Sequence, residues 1–505
     1  MFRPRPSVRR QTYVLVYALI AIFMVLAHGP ILDAPFYWDE TGQFIPASLD
    51  LYRTGTVIPH STLPNVHPPG VMAYLAAFWH VFGFSIPGTR VAMLLLASLG
   101  ALFTFLLAIE LSRDAPGAPA LTALALLCVS PLFFAQSMLA QLDMPAMCFA
   151  ILALLLFLQD RFRASALACV GLVLAKETGV VAVALFGLWL IAEKRFRQAT
   201  WYALPVAALA LWLLALKVGT GHWMGNAEFT RYNLSYPLNP GRLGVALVRR
   251  LYYLFISSGH IIGTAALIWA WRRLPLLRNR PWRVAAAFVA VNTVTVSALG
   301  GAVLERYLLP VLPVIYIAFA IALRALLPKP RKWAGPALMA CLVAASFINP
   351  IYPFPYENNL AFLSFVDLER KAAASIQSRP GIVATTFPMS NALLHPEFGY
   401  VDVPRQVVEL KSFHRSEVTR LGEQRPDMML VYDTEWDPLH LLGSAPSQWL
   451  LHTFYNFERQ LTPEEVASAL SMQVVRTWNS QGLKMTLLIR DGVPAFRVSA
   501  LSKGM

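Results

Sequence analysis

Between Tyr13 and Asn349 the sequence returns repeatedly to apolar runs of bilayer-spanning character. A straight span needs roughly 20 apolar residues, because the hydrocarbon core is about 30 Å thick and a helix rises about 1.5 Å per residue. Lipid leaves no water to satisfy backbone N–H and C=O groups, so such runs must be helices. They fall at 11–27, 87–111, 118–135, 144–159, 164–175, 179–192, 202–218, 250–271, 284–299, 307–326 and 333–348. The expected fold is therefore an α-helical polytopic membrane protein of about eleven transmembrane helices. The run 164–175 is short, which predicts a broken or tilted helix whose end is covered by protein or water. Composition agrees: 57% of residues are hydrophobic and 14% charged, against about 25% charged in ordinary soluble domains.

The first run resembles a signal peptide. Its one small-x-small triplet, Ala27-His28-Gly29, is followed directly by Pro30, which makes a poor cleavage site. A retained signal-anchor helix is expected. The net charge of +14 belongs to the loops and argues against nucleic acid as a partner. With Arg3, Arg5, Arg9 and Arg10 cytoplasmic, the other cytoplasmic loops hold Arg113; Arg161 and Arg163; Lys194, Arg195 and Arg197; Arg272, Arg273, Arg278, Arg280 and Arg283; and Lys329, Arg331 and Lys332. The outside loops are poorer in Lys and Arg, as the positive-inside rule requires. The exception is 219–249, which holds Arg231, Arg242 and Arg249. The alternation predicts an odd number of spans and an outside C-terminus. Cys128, Cys148, Cys169 and Cys341 lie in apolar runs without ligand-like spacing and read as small buried hydrophobes.

Three outside segments are long. The loop 28–86 carries Phe36-Tyr37-Trp38-Asp39-Glu40 and His67-Pro68-Pro69-Gly70, with an amphipathic stretch 71–82 that suits the membrane surface. The loop 219–249 contains Tyr232, Asn233, Tyr236, Pro237 and Asn239. After the membrane domain 1–349 the composition turns soluble. Pro350, Pro353 and Pro355 mark a linker into an extracytoplasmic α/β domain, 350–505. Strand-like runs 382–386, 428–432 and 484–489 alternate there with helix-like runs 365–378, 416–424 and 463–472. Thr462 with Glu465 forms a capping-box start.

Ionisable groups at span ends are functional candidates because burying them is costly. Alternation places Asp39 and Glu40, Asp143, Lys176 and Glu177, and Glu305 and Arg306 on one outer face. Carboxylates suit proton abstraction or metal binding; Lys and Arg suit phosphate. Phosphate at an outer membrane surface points to a lipid-phosphate carrier. An inverting sugar transfer from it needs a base for the acceptor hydroxyl and cations for the departing phosphate. Asp39 or Glu40 fits the first role, Lys176 and Arg306 the second. Each group has a structural alternative. Lys176 and Glu177 read also as a local neutralising pair, Glu305-Arg306 as a headgroup anchor, Asp143 as an N-cap, and His67-Pro68-Pro69 as a rigid turn.

Trp38-Asp39-Glu40, His67-Pro68-Pro69, Gln141-Leu142-Asp143-Met144-Pro145, Lys176-Glu177 and the run from Glu305-Arg306-Tyr307 to Pro313 together resemble the bacterial GT-C membrane glycosyltransferases. The branch is that of the protein O-mannosyltransferases and the lipid A aminoarabinose transferase. The resemblance covers roughly residues 13–326. It implies a multi-pass protein of the bacterial inner membrane that takes sugar from a polyprenyl-phosphate carrier at the outer face. Asp39 would be the base, Glu40 its support, and Asp143 a second acidic pocket residue. Lys176 and Arg306 would bind the carrier phosphate, with His67, Glu177, Glu305 and Tyr307 as further substrate contacts. No metal and no other cofactor is expected. The acceptor, whether lipid, glycan or protein, is left open, and 350–505 matches no motif. Two competing readings use the same charges: a transporter or flippase of a lipid-linked or anionic substrate, and a subunit with a decayed site. The absence of an internal repeat speaks against the first, the intact charged set against the second.

Overall fold

The computed structural model describes residues 10–113, 119–231, 233, 239–299, 302–421, 425–433, 436, 438–439, 444–455 and 459–490. Arg3, Arg5, Arg9, Tyr232, Tyr236 and Pro237 lie outside them. The chain divides into two compact units. One holds Met1–Asp33, Gln43–Pro350 and Glu357–Leu360; the other holds Ala34–Gly42, Ile351–Tyr356 and Ala361–Met505.

The first unit is helical, and each expected apolar run contains a helix. Local signals set the helix ends. Ser85 accepts a hydrogen bond from the Gly88 N–H and starts Ile86–Leu111. Asn239 accepts from Gly241 and Arg242 and starts Pro240–Phe255, as N-caps do. Pro131, which has no N–H to continue a helix, opens Pro131–Ser137 after Pro119–Cys128, and the two meet at 63°. Among the described residues three helices are long and apolar enough to cross a membrane: Gln11–Ile31, Ile86–Leu111 and Phe196–Thr220. Counting each bent pair as one span, including Pro240–Phe255 with Ser257–Ala270, gives five. Other expected spans are shorter apolar helices such as Asp143–Leu158, Phe162–Ala175 and Leu312–Ala325. The run 164–175 forms one unbroken helix, Phe162–Ala175, whose C-terminal neighbour Lys176 is buried.

Burial separates inner from outer helices. Nearly all of Asp143–Leu158 and Leu312–Ala325 is buried. On Arg10–His28, by contrast, Leu15, Leu19, Ile22 and Leu26 are 57–72% exposed. They form a stripe at helical spacing that water would not tolerate and lipid would. Inner helices approach closely at small residues. A Cβ on Gly263 would stand 2.5 Å from the Phe319 ring, and one on Gly100 2.7 Å from the Met147 methyl.

The second unit is built on a five-stranded sheet in the order β2-β1-β3-β5-β4. The strands are β1 (Val383–Thr386), β2 (Val407–Leu410), β3 (Met428–Tyr432), β4 (Met472–Ser480) and β5 (Leu483–Arg490). β1 pairs in parallel with β2 and β3; β5 pairs antiparallel with β3 and β4. The β4–β5 turn places Gln481 at φ 48° and Gly482 at φ 90°, the positive-φ pair that a tight hairpin favours. Helix Ala361–Gln377 packs on β4 and β5. Pro463–Leu470 opens with the Thr462–Glu465 capping box and ends two residues before the expected limit, at Ser471 with φ 52°.

Candidate functional site

The acidic pair sits in the second unit. Glu40 is fully buried, and its Oε2 accepts a 2.8 Å hydrogen bond from the Tyr37 N–H. Asp39 is only partly buried. Glu40 is thus directed back to its own loop, while Asp39 keeps access to solvent. Trp38 has φ 45°, uncommon for a bulky residue. Its ring packs 5.8 Å from Phe365 and 5.9 Å from Phe387. The segment is tied to the sheet domain along its length. The Phe36 N–H donates to Phe398 O (3.1 Å), the Tyr400 hydroxyl lies 2.9 Å from Phe36 O, and Asn391 Nδ2 donates to Thr41 O (3.1 Å). A Cβ on Gly42 would meet the Phe387 ring at 2.6 Å, so only glycine fits there. Behind Tyr400 lies Glu369, 1% exposed, with Oε2 at 2.8 Å from the same hydroxyl. Burial pushes the Glu369 carboxyl up to about 8, against a smaller opposing effect of the Tyr400 bond.

The other expected site residues sit in the first unit, where most of them interlock. Lys176 Nζ pairs with Asp143 Oδ1 at 2.5 Å. Arg306, 4% exposed, lies 3.3 Å from Asp143 Oδ2 and 3.0 Å from Glu357 Oε2, and donates to Gln141 Oε1 at 2.6 Å. Glu305 pairs with Arg249 at 2.6 Å and accepts from Asn358 at 2.9 Å. Tyr307 lies beneath the Lys176 ammonium, 4.0 Å from ring centroid to Nζ, a cation–π distance. His67 Nδ1 meets Glu177 Oε2 at 2.9 Å.

This geometry decides between the structural alternatives. Asp143 is not an N-cap: it is the first residue inside its helix, and the cap, Leu142, makes no side-chain bond. Lys176 and Glu177 are joined to different partners, Asp143 and His67. Arg306 is too buried for a headgroup anchor. His67-Pro68-Pro69 does more than turn the chain, since it delivers His67 to Glu177. Gln141 enters the sequence reading only through its motif, and the motifs carry no signal for the roles of Glu357, Asn358, Arg249 and Arg250. The signal for the arginines was the spacing Arg242, Ala246, Arg250, which puts three buried residues on one face of Pro240–Phe255. Arg250 donates to Leu304 O and Val296 O, each at 2.8 Å.

Asp143, Lys176 and Tyr307, with Thr178, Asn292 and Thr295, line a cleft of about 430 Å³ including its open mouth. One cation, Lys176, and one carboxylate, Asp143, face this space, which is partly walled by apolar side chains. Among the described residues no group of three or more His, Cys, Asp or Glu is placed to hold a metal ion.

The mostly helical fold with its small sheet is the GT-C fold. The chain is similar to ArnT from Cupriavidus metallidurans bound to undecaprenyl phosphate, with 15% identity over 95% of this chain and 98% of that one, at a TM-score of 0.53. The same protein in the apo state aligns with 17% identity over 94% and 98% of the two chains, at 0.54. At these identities the likeness is one of fold. No family model and no curated protein matches the sequence.

Proposed function

We propose that the protein is an inverting glycosyltransferase. It moves a sugar from a polyprenyl-phosphate carrier to an acceptor on the outer face of the bacterial inner membrane. The N-terminus is cytoplasmic, and the α/β domain lies outside. Asp39 takes the proton from the acceptor hydroxyl, and Glu40 holds the loop that presents it. Lys176 and Arg306 stabilise the charge that develops on the departing phosphate, and Asp143 keeps both cations in place before the donor arrives. His67, Glu177, Glu305 and Tyr307 shape the surroundings. The observation that carries this reading is the pair of buried cations, with Lys176 lining the cleft, in a fold shared with a protein solved with undecaprenyl phosphate. Fixed cations in a site of low dielectric are the means by which such charge is stabilised. The exposed stripe on Arg10–His28 supports a lipid setting.

The test supplies radiolabelled polyprenyl-phosphate sugars to membranes containing the protein and follows the label. Asp39→Asn should lower transfer by about 10²–10⁴-fold, the usual contribution of a general base, with membrane insertion unchanged. Lys176→Gln should weaken donor binding as well. Full transfer by Asp39→Asn moves the base elsewhere. Label that crosses the bilayer still attached to its carrier would establish the transporter reading instead.

A further inference from the structure

The helix that begins at Asp143 ends at Leu158, and the helix that leads to Lys176 begins at Phe162. At about 1.5 Å per residue, the loop joining them lies roughly 21–24 Å from the Asp143–Lys176 pair. That is nearly the thickness of a bilayer's apolar layer. This loop, with the start of Phe196–Thr220, forms a second, larger concavity of about 920 Å³ including its open mouth. Its walls carry Arg161, Arg163, Arg195 and Arg197 against one carboxylate, Asp160.

The acids nearby are already engaged. Asp160 pairs with Arg195 at 3.0 Å and lies 3.8 Å from Arg280. Arg280 holds Glu193 through two bonds of 2.6 and 2.9 Å. Arg161, Arg163 and Arg197 have no carboxylate within ion-pair distance among the described residues. Two guanidiniums are ordered by aromatic faces: Arg163 stands 4.5 Å from the Trp201 ring and Arg195 4.4 Å from the Phe162 ring. Arginine stacks in this way without losing its capacity for phosphate. The groove also adjoins Phe196–Thr220, a helix that is apolar and exposed around most of its circumference, with Phe196, Leu204, Val206 and Leu211 all 45–67% exposed.

We propose that this groove binds the headgroup of an anionic phospholipid, with the acyl chains lying along Phe196–Thr220. Charge complementarity selects an anion, and the adjoining apolar face selects one that carries a lipid tail. Trp201 belongs at that boundary, since its amphipathic ring favours headgroup level. Basic pockets between membrane helices recognise lipid phosphate by the same means. The site stands apart from the sugar-transfer chemistry, at the other end of the two helices.

The experiment uses the full-length protein in nanodiscs and measures by native mass spectrometry which lipids stay bound. Phosphatidylglycerol should be retained over phosphatidylcholine by about tenfold or more, given the known contribution per basic residue at a membrane surface. The preference should fall as salt rises. The triple variant Arg161→Gln, Arg163→Gln, Arg197→Gln should lose it. The single exposed variant Arg161→Gln should weaken it and serves if the triple variant fails to fold. Arg197→Lys, which keeps the charge, should retain it. Equal retention of the two lipids, an unchanged preference in both Gln variants, or displacement of the lipid by inorganic phosphate at equal concentration would overturn the proposal.

Discussion

Tyr400 has one hydroxyl proton and two acceptors, Phe36 O at 2.9 Å and Glu369 Oε2 at 2.8 Å. Both bonds form together only if Glu369 carries a proton of its own and donates it to the Tyr400 oxygen. Its burial, with the carboxyl pushed up to about 8, fits a neutral acid at neutral pH. The other titratable group coupled to it is Tyr432, itself buried. The buried residues of the adjoining β5 are not titratable. The folded protein therefore holds a proton that the unfolded chain releases near the ordinary value of 4.5. The stabilisation is complete below that value, declines as pH rises, and is gone above about 8. Hydrogen exchange of the α/β unit in the full-length protein should show protection falling across this window, by at most about 1.4 kcal/mol per pH unit from this group. Glu369→Gln, a permanent neutral donor of the same shape, should remove the slope. A slope that persists in Glu369→Gln would assign the effect to another group.

At the scale of elements, the membrane helices were legible because apolar runs declare themselves, and their breaks were less so. The 118–135 run reads as one span, yet Pro131 divides it; the 250–271 run begins ten residues earlier, at Pro240, and is interrupted at Ser257–Gly259. Hydropathy reports the environment of a segment and not its continuity. β3 coincided with its expected range because all five of its residues are buried. β2 is only four residues long, and β4 is largely exposed with no clean alternation. β4 exists because β5 completes its hydrogen bonds, a reason outside its own sequence. The charged residues were legible individually through the cost of burying them. Their pairing across 33 residues, as for Lys176 and Asp143, is a tertiary fact that spacing cannot encode. Close helix contact was equally hidden in single glycines. Gly263→Leu should destabilise the membrane unit by about 1–3 kcal/mol, the usual cost of overpacking, because Phe319 cannot clear the 2.5 Å approach without moving. Thermal unfolding in detergent measures this, and an unchanged midpoint would show that Phe319 yields freely.

At the scale of the whole molecule, the one loop that disturbed the sidedness pattern has a physical explanation. Arg242 and Arg250 are fully buried, and Arg249 is paired with Glu305. Basic residues engaged inside the protein do not face headgroups, so they carry little weight in the positive-inside balance. The arginines that remain exposed include those of the proposed lipid groove. Charge counted from sequence thus mixes two populations, one that orients the chain and one that builds its interior.

The nine residues Ala34–Gly42 are translated near the beginning of the chain, yet they pack with Ala361–Met505. At the usual 5–20 residues per second, roughly 15–65 s separate the synthesis of the loop from that of its resting place. During that interval the nascent protein has no settled acidic segment, whatever its membrane helices have achieved. A chain cut short after Pro350 should insert into the membrane and yet transfer no sugar, as membrane fractionation combined with the radiolabel assay would show. Sugar transfer by the truncated chain would mean that the loop finds its conformation unaided. If the protein has the proposed function, this arrangement makes completion of the polypeptide a precondition for activity, so an unfinished chain leaves the donor untouched.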